Sequence, residues 1–236
     1  MNNDIIYKES FRSLIETFPD DYYIGLGNPN AKILLVGKEG SVKDIPENEV
    51  STVAKWRETI ARNTMPLLYE ERNPPLPEGH TYSKYQKLHD FIFGMDNKRT
   101  PNRVDFFKDF FLTEMNTNRA SRSALASRNG LQARKDTFFR TRFIQQFPVV
   151  VLACGFDYIR NNDKVREIDD IFGVEYHARY STERTRSPQS FWTHFAKPRC
   201  AQKLVINVQQ LSGSTATSDE LLRLLAGEIR KIISTL

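Results

Sequence analysis

Gly27-Asn28-Pro29-Asn30-Ala31-Lys32-Ile33-Leu34-Leu35-Val36-Gly37-Lys38-Glu39-Gly40 is the stretch that decides how this chain is read. An Asn-Pro turn leads into a short apolar run, and the run ends in a charged pair flanked by glycines. This predicts a buried strand over 32–36 that delivers the carboxylate of Glu39 into a loop. In open α/β sheets ligands bind in the crevice beyond the carboxyl ends of the strands. Gly37 and Gly40 expose backbone N–H groups there and let a ligand come close.

Three further apolar runs read as strands: 109–115, 148–155 and 203–208. Pro148 stands at the first position of its run, where proline is tolerated. Between them the 3.6-residue periodicity predicts helices over 4–18, 48–65, 82–93, about 129–146 and 163–171. Thr217 and Glu220 have the spacing of a capping box, and Leu221, Leu225, Ile229 and Ile232 then repeat along one face of a last helix. The aromatic runs 174–180 and 190–196 pair as a hairpin across the polar loop 181–189. Residues 73–80, with three prolines and a glycine, read as a rigid loop.

Strands separated by helices favour a parallel sheet covered on both faces. The expected fold is therefore α/β: a three-layer α/β/α sandwich around a central four-stranded parallel sheet. No Gly/Ser/Pro-rich linker divides the 236 residues, so one domain over 1–236 is expected. Its N-terminal helix would lie within 1–19, and a basic, aromatic hairpin insertion within 174–200.

The composition bounds the setting. Hydrophobic residues make up 39% and charged residues 27%, and the net charge is +5. That balance permits an anionic partner such as DNA without requiring one. Cys154 and Cys200 are the two cysteines, with neither metal spacing nor a disulfide framework, which suits a reducing cytoplasm. The N-terminus lacks a signal-peptide pattern, and no apolar run reaches the length of a membrane span. A monomer without membrane association is expected.

Each predicted strand runs into polar residues at its carboxyl end: Lys38-Glu39, Glu114 and Asn116, Cys154-Gly155, and Gln209-Gln210 with Ser212. In a parallel sheet these converge on one rim. Glu39 is either a water-activating or substrate-orienting carboxylate, or a solvated loop carboxylate paired with Lys38 or Lys43. Glu114 is either half-buried and functional or a paired structural group. Asn116 and Asn118 offer the donor and acceptor that read a base edge, or they cap the next helix.

The four histidines are dispersed, so a zinc site is not expected. His89 reads as structural. His177 and His194 on the hairpin face each other, the cleft or solvent. No phosphate-binding glycine loop follows a strand, which argues against kinases and dehydrogenases.

Basic residues gather in two places. Arg119, Arg122, Arg128, Arg134, Lys135, Arg140 and Arg142 follow the second strand. Arg179, Arg184, Arg186, Lys197, Arg199 and Lys203 line the hairpin, with Tyr176, Tyr180, Phe191, Trp192 and Phe195 interleaved. Guanidinium groups beside rings suit phosphate contact plus base stacking. The same pattern also fits solvated faces and a packed hairpin.

With those residues in view, the chain resembles the uracil-DNA glycosylase superfamily, in particular its iron–sulfur branch. The likeness rests on Gly27-Asn-Pro-Asn-Ala-Lys-Ile-Leu-Leu-Val-Gly37, on Thr81-Tyr82 through Lys87-Leu88, and on Phe111-Leu-Thr113 with Arg119. It extends over most of 20–236. It implies hydrolysis of the N-glycosidic bond of a damaged base flipped out of DNA, because that bond cannot be reached within the stack.

By that resemblance Glu39 positions water, Tyr82 stacks on the base, and Glu114 falls where the branch often carries Asn. Gly37, Lys38, Gly40 and Asn116 would complete the substrate site, with Arg119, Arg179, Arg184 and Arg186 on phosphates. Gly40 stands where the first motif usually continues with proline. The second motif should carry a histidine after the last strand, but this chain reads Val208-Gln209-Gln210-Leu211-Ser212-Gly213. Gln210 and Ser212 would then hold the leaving base as neutral, weaker donors. The cluster cysteines are absent, Asn118 standing at one of their places, so neither an iron–sulfur cluster nor another cofactor is expected. The alternative is a non-catalytic module of the same fold that binds nucleic acid or a nucleotide. A third reading is a hydrolase acting on a small nucleoside-like substrate in the same cleft.

Overall fold

A computed structural model describes residues 6–39, 52–62, 80–95, 104–118, 120, 125–183, 187–196, 202–212 and 216–236. Of the residues singled out above, Gly40, Lys43, Arg119, Arg122, Arg184, Arg186, Lys197, Arg199, Cys200 and Gly213 fall outside this set, as does nearly all of the 73–80 loop.

The elements in chain order are α1 (Glu9–Thr17), β1 (Leu26–Gly27), β2 (Ile33–Gly37), α2 (Val53–Ala61), α3 (Thr81–Phe93), β3 (Phe110–Glu114), α4 (Leu131–Asp136), α5 (Arg142–Gln145), β4 (Val149–Leu152), α6 (Glu167–Phe172), β5 (Val174–Ser181), β6 (Ser190–Ala196), β7 (Leu204–Val208) and α7 (Asp219–Ile233). They build one mixed seven-stranded sheet in the order β1-β3-β2-β4-β7-β6-β5. The inner strands β3, β2, β4 and β7 are parallel. The expected four parallel strands are therefore present, but they do not stand alone. β1, unforeseen because it has only two residues, pairs antiparallel with β3. The β5–β6 hairpin is not a separate insertion: β6 pairs antiparallel with β7 and extends the sheet.

The alternation of a pleated strand splits the core into two. Leu34, Val36, Phe111, Val150, Leu152 and Val205 face one cluster, with Phe11 of α1, Trp56 of α2, Phe143 of α5 and Ile168 of α6. Ile33, Leu35, Phe110, Val151, Ile206 and Val208 face the other, with Tyr85 and Leu88 of α3 and Leu225 of α7. The four parallel strands are apolar on both faces because both faces are covered.

Two local expectations are corrected. The basic segment 129–146 is not one helix. It breaks into α4, a 3-10 turn at Phe138–Arg140, and α5, with Thr141 extended and its hydroxyl accepting from the Ile144 N–H. Adjacent side chains on a straight helix diverge by about 100°. The break lets both Phe138 and Phe139 be fully buried. At α7 the cap is Ser218, whose hydroxyl accepts from the Leu221 N–H at 3.2 Å. Thr217 instead accepts from the Ser212 N–H at 3.1 Å.

From β2 the chain crosses outward to β3, then returns past β2 to β4 and β7. The strand order reverses between β2 and β4, the switch point where α/β sheets open a ligand crevice.

Candidate active site at the switch point

The loops leaving β2 and β4 meet at this crevice. Tyr158, six residues beyond β4, donates its hydroxyl to Glu39 Oε2 at 2.5 Å. Burial, and then the hydrogen bond to Glu39, push the Tyr158 phenol up to about 12, so it stays a donor at neutral pH. The Arg128 guanidinium lies 4.7 Å from the centre of the Tyr158 ring, and Lys38 Nζ lies 5.5 Å from it. Two cations on one ring hold the tyrosine in place and leave Glu39 in a positive setting.

Glu114 ends β3 directly opposite Gly37. The ladder continues past both, with Met115 N–H donating to Gly37 O at 2.9 Å and Asn116 N–H to Lys38 O at 2.8 Å. Glu114 Oε2 is buried and has no hydrogen-bond partner. Burial first, and then the nearby Glu39 charge, raise the Glu114 carboxyl to about 8, against a smaller opposing effect from Arg134. At neutral pH Glu114 is a protonated acid. Two glutamates at one strand rim thus take unlike roles, one holding a Tyr hydroxyl and the other kept neutral, which is how carboxylate pairs divide acid and base work.

Beneath them Arg134 is 4% exposed. It donates to Glu114 O at 3.0 Å, Tyr23 O at 3.1 Å and Thr113 Oγ1 at 2.9 Å. It also lies 3.9 Å from the Phe138 ring centre. Lys135 is buried and pairs with Glu167 at 3.1 Å. Arg140 donates to Asp170 O at 2.9 Å. Within the first basic cluster, Arg134 and Lys135 therefore brace the interior. Their α4 face turns inward because the apolar residues around them pack the aliphatic stems and rings.

Asn116 is 1% exposed. Its Nδ2 donates to Ser127 O at 2.9 Å and its Oδ1 accepts from Asn118 N–H and Nδ2, both at 3.1 Å. Its amide therefore fixes the loop that follows β3. Tyr82, expected as a stacking ring, is 9% exposed and packs edge-on against Phe106 and Phe107, each at 5.6 Å. Its position on the α3 side belongs to the core.

Gln210 and Ser212 follow β7 as expected, and the contacts described for them lead to the start of α7. Ser212 N–H donates to Gln210 O at 3.1 Å, and Thr217 Oγ1 to Gln210 O at 3.5 Å. Arg179 is exposed on β5, donating to Ser190 Oγ at 3.0 Å beside the Trp192 ring. Cys154, at the end of β4, is fully buried, and burial pushes its thiol up to about 12, which makes it a poor nucleophile.

The structure thus unites Lys38, Glu39, Glu114 and Asn116, and adds Tyr158 and Arg128. Arg128 stood among the basic residues, but its place over Tyr158 has no sequence signature. Tyr158 had one usable signal: a polar-tipped ring a few residues past a predicted strand end. Among the described residues no group of three or more His, Cys, Asp or Glu is placed to hold a metal ion, and no helix is long and apolar enough to cross a membrane. The chain matches no protein-family model and no curated protein.

Proposed function

We propose that this is a uracil-DNA glycosylase-like hydrolase that cleaves the N-glycosidic bond of a base flipped from DNA, on an α/β/α sandwich. The observation that carries the reading is the pair at the switch point: Glu39 held by Tyr158, beside a Glu114 that is protonated at neutral pH. Glu39 orients and deprotonates the attacking water. Glu114 donates a hydrogen bond to a carbonyl of the base, which a carboxyl group does only while protonated. It thereby supplies part of what a second-motif histidine would, while Gln210 and Ser212 close the other side of the base. Lys38 and Arg128 hold the site positive for a substrate whose backbone is anionic.

The second reading, a binding module without catalysis, is favoured by Gln210-Leu211-Ser212, which provides no cationic donor after β7. Single- and double-stranded oligonucleotides bearing uracil, hypoxanthine or other lesions separate the two. Release of a base supports the hydrolase. Salt-dependent binding with no release at any lesion supports the module. No binding to any oligonucleotide removes both, and leaves a hydrolase of small nucleosides.

A further inference from the structure

A cavity opens between the loop after β4 and the β5–β6–β7 part of the sheet. Its volume is about 820 Å³, and none of Glu39, Glu114 or Tyr158 lines it. It is bounded by the loop after β4, by α6, and by the β5–β6–β7 face of the sheet, and its size falls in the range of small-molecule sites.

Its wall carries two buried polar atoms without partners. His194 on β6 is 1% exposed and Asn207 on β7 is 6% exposed. Trp192 pairs with Asn207 and His194 with Val205 across β6 and β7. His194 and Asn207 are therefore diagonal neighbours on one face of the sheet. Asp169 Oδ1 lies 2.9 Å from His194 Nδ1, and Asn161 Nδ2 holds the same oxygen at 3.3 Å. An aspartate there fixes the proton on Nδ1 and leaves Nε2 as an acceptor. Burial lowers the His194 imidazolium pKa against the opposing effect of Asp169, which keeps the ring neutral. His194 Nε2 and Asn207 Oδ1 both lack a hydrogen-bond partner. Such atoms are costly to leave unmet, so the site is short of N–H donors.

The rest of the lining specifies what brings those donors. Phe156 is 44% and Tyr176 54% exposed, unusual for large rings, and both border the cavity with Trp192. Rings around a cleft offer stacking faces to a planar heterocycle. Arg160 and Arg166 are exposed on the same border, and guanidinium forks suit a phosphate.

We propose that this cavity is a second site, which binds a nucleotide whose base carries an exocyclic amino group. That group donates to His194 Nε2 and Asn207 Oδ1, the rings stack on the base, and Arg166 with Arg160 takes the phosphate. The same chemistry is offered by a free mononucleotide and by a nucleotide within a strand.

Calorimetric titration of the whole protein with AMP, GMP and CMP, each against IMP and UMP, tests this. The amino-bearing nucleotides bind about tenfold or more tightly than IMP and UMP. Asn207→Leu abolishes that preference. Arg166→Ala, an exposed change that spares the fold, weakens AMP but not adenosine. Free AMP binding assigns the site to mononucleotides. Binding of oligo-dA over oligo-dT, with no free AMP binding, assigns it to a strand. Equal affinity for AMP and IMP overturns the proposal. So does a preference that survives in Asn207→Leu, an AMP affinity unchanged in Arg166→Ala, or the absence of binding by mononucleotide and oligonucleotide at millimolar concentration, which leaves a water-filled cavity.

Discussion

The carboxyl group of Glu114 lies against the backbone of Gly37 so closely that a Cβ on residue 37 would stand 2.2 Å from Oε2 and 2.9 Å from Cδ. Residue 37 must lack a side chain for the acid of β3 to lie where it does. The Gly37→Ala substitution pushes Glu114 aside and costs about 1–3 kcal/mol as overpacking. Glu114→Ala in the same background removes the clash, so the double variant is more stable than the sum of the single changes predicts. Urea denaturation of the four proteins in the cycle measures the coupling.

Glu114 also makes stability depend on pH. Its folded-state pKa of about 8 lies above the ordinary 4.5, so the folded chain holds a proton that the unfolded chain gives up. The contribution is complete below 4.5 and is lost as pH rises through 8. Stability should fall by a few kcal/mol over that window, and Glu114→Gln should flatten the slope. Denaturation midpoints from pH 5 to 9 report both.

Lys203 carries the opposite sign in a higher window. Burial lowers its ammonium to about 8 from 10.5, and its Nζ donates to Gln145 O and Oε1 at 2.9 Å. Here the unfolded chain holds the extra proton, so stability rises between pH 8 and 10.5. Lys203→Met should remove that rise in denaturation midpoints taken from pH 8 to 11.

Tyr158→Phe deletes the hydroxyl that holds Glu39 and leaves the ring against Arg128 and Lys38. Catalysis should drop about tenfold or more through loss of a charge-assisted hydrogen bond, with DNA affinity unchanged. Rate and binding measured separately on one oligonucleotide distinguish this from damage to the DNA surface.

Ser218→Ala removes the cap of α7. The expected loss is about 1 kcal/mol, read as a lower thermal midpoint with no change in base release.

Much of the fold is legible because Ile33–Gly37, Phe110–Glu114, Val149–Leu152 and Leu204–Val208 are apolar on both faces. Fully buried strands carry that mark whatever their neighbours. β1 is too short to show a period, and the joining of β6 to β7 depends on pairing between segments that local pattern does not encode. At the site, Lys38, Glu39, Glu114 and Asn116 converge as their positions after β2 and β3 require. The roles change through tertiary packing: Asn116 is consumed by Asn118 and Ser127, Tyr82 by Phe106 and Phe107, and Arg134 by three acceptors around Thr113. The partnership of Asp169 with His194 joins α6 to β6, and spacing alone says nothing of it.

Base release from an oligonucleotide containing uracil or another lesion, under single-turnover conditions with wild type and Glu39→Gln, decides whether Glu39 activates water at a glycosidic bond. Wild type should release the base, and Glu39→Gln should do so about a hundredfold or more slowly, with DNA affinity retained. Release by Glu39→Gln at the wild-type rate, or none by wild type from any lesion, would contradict that role.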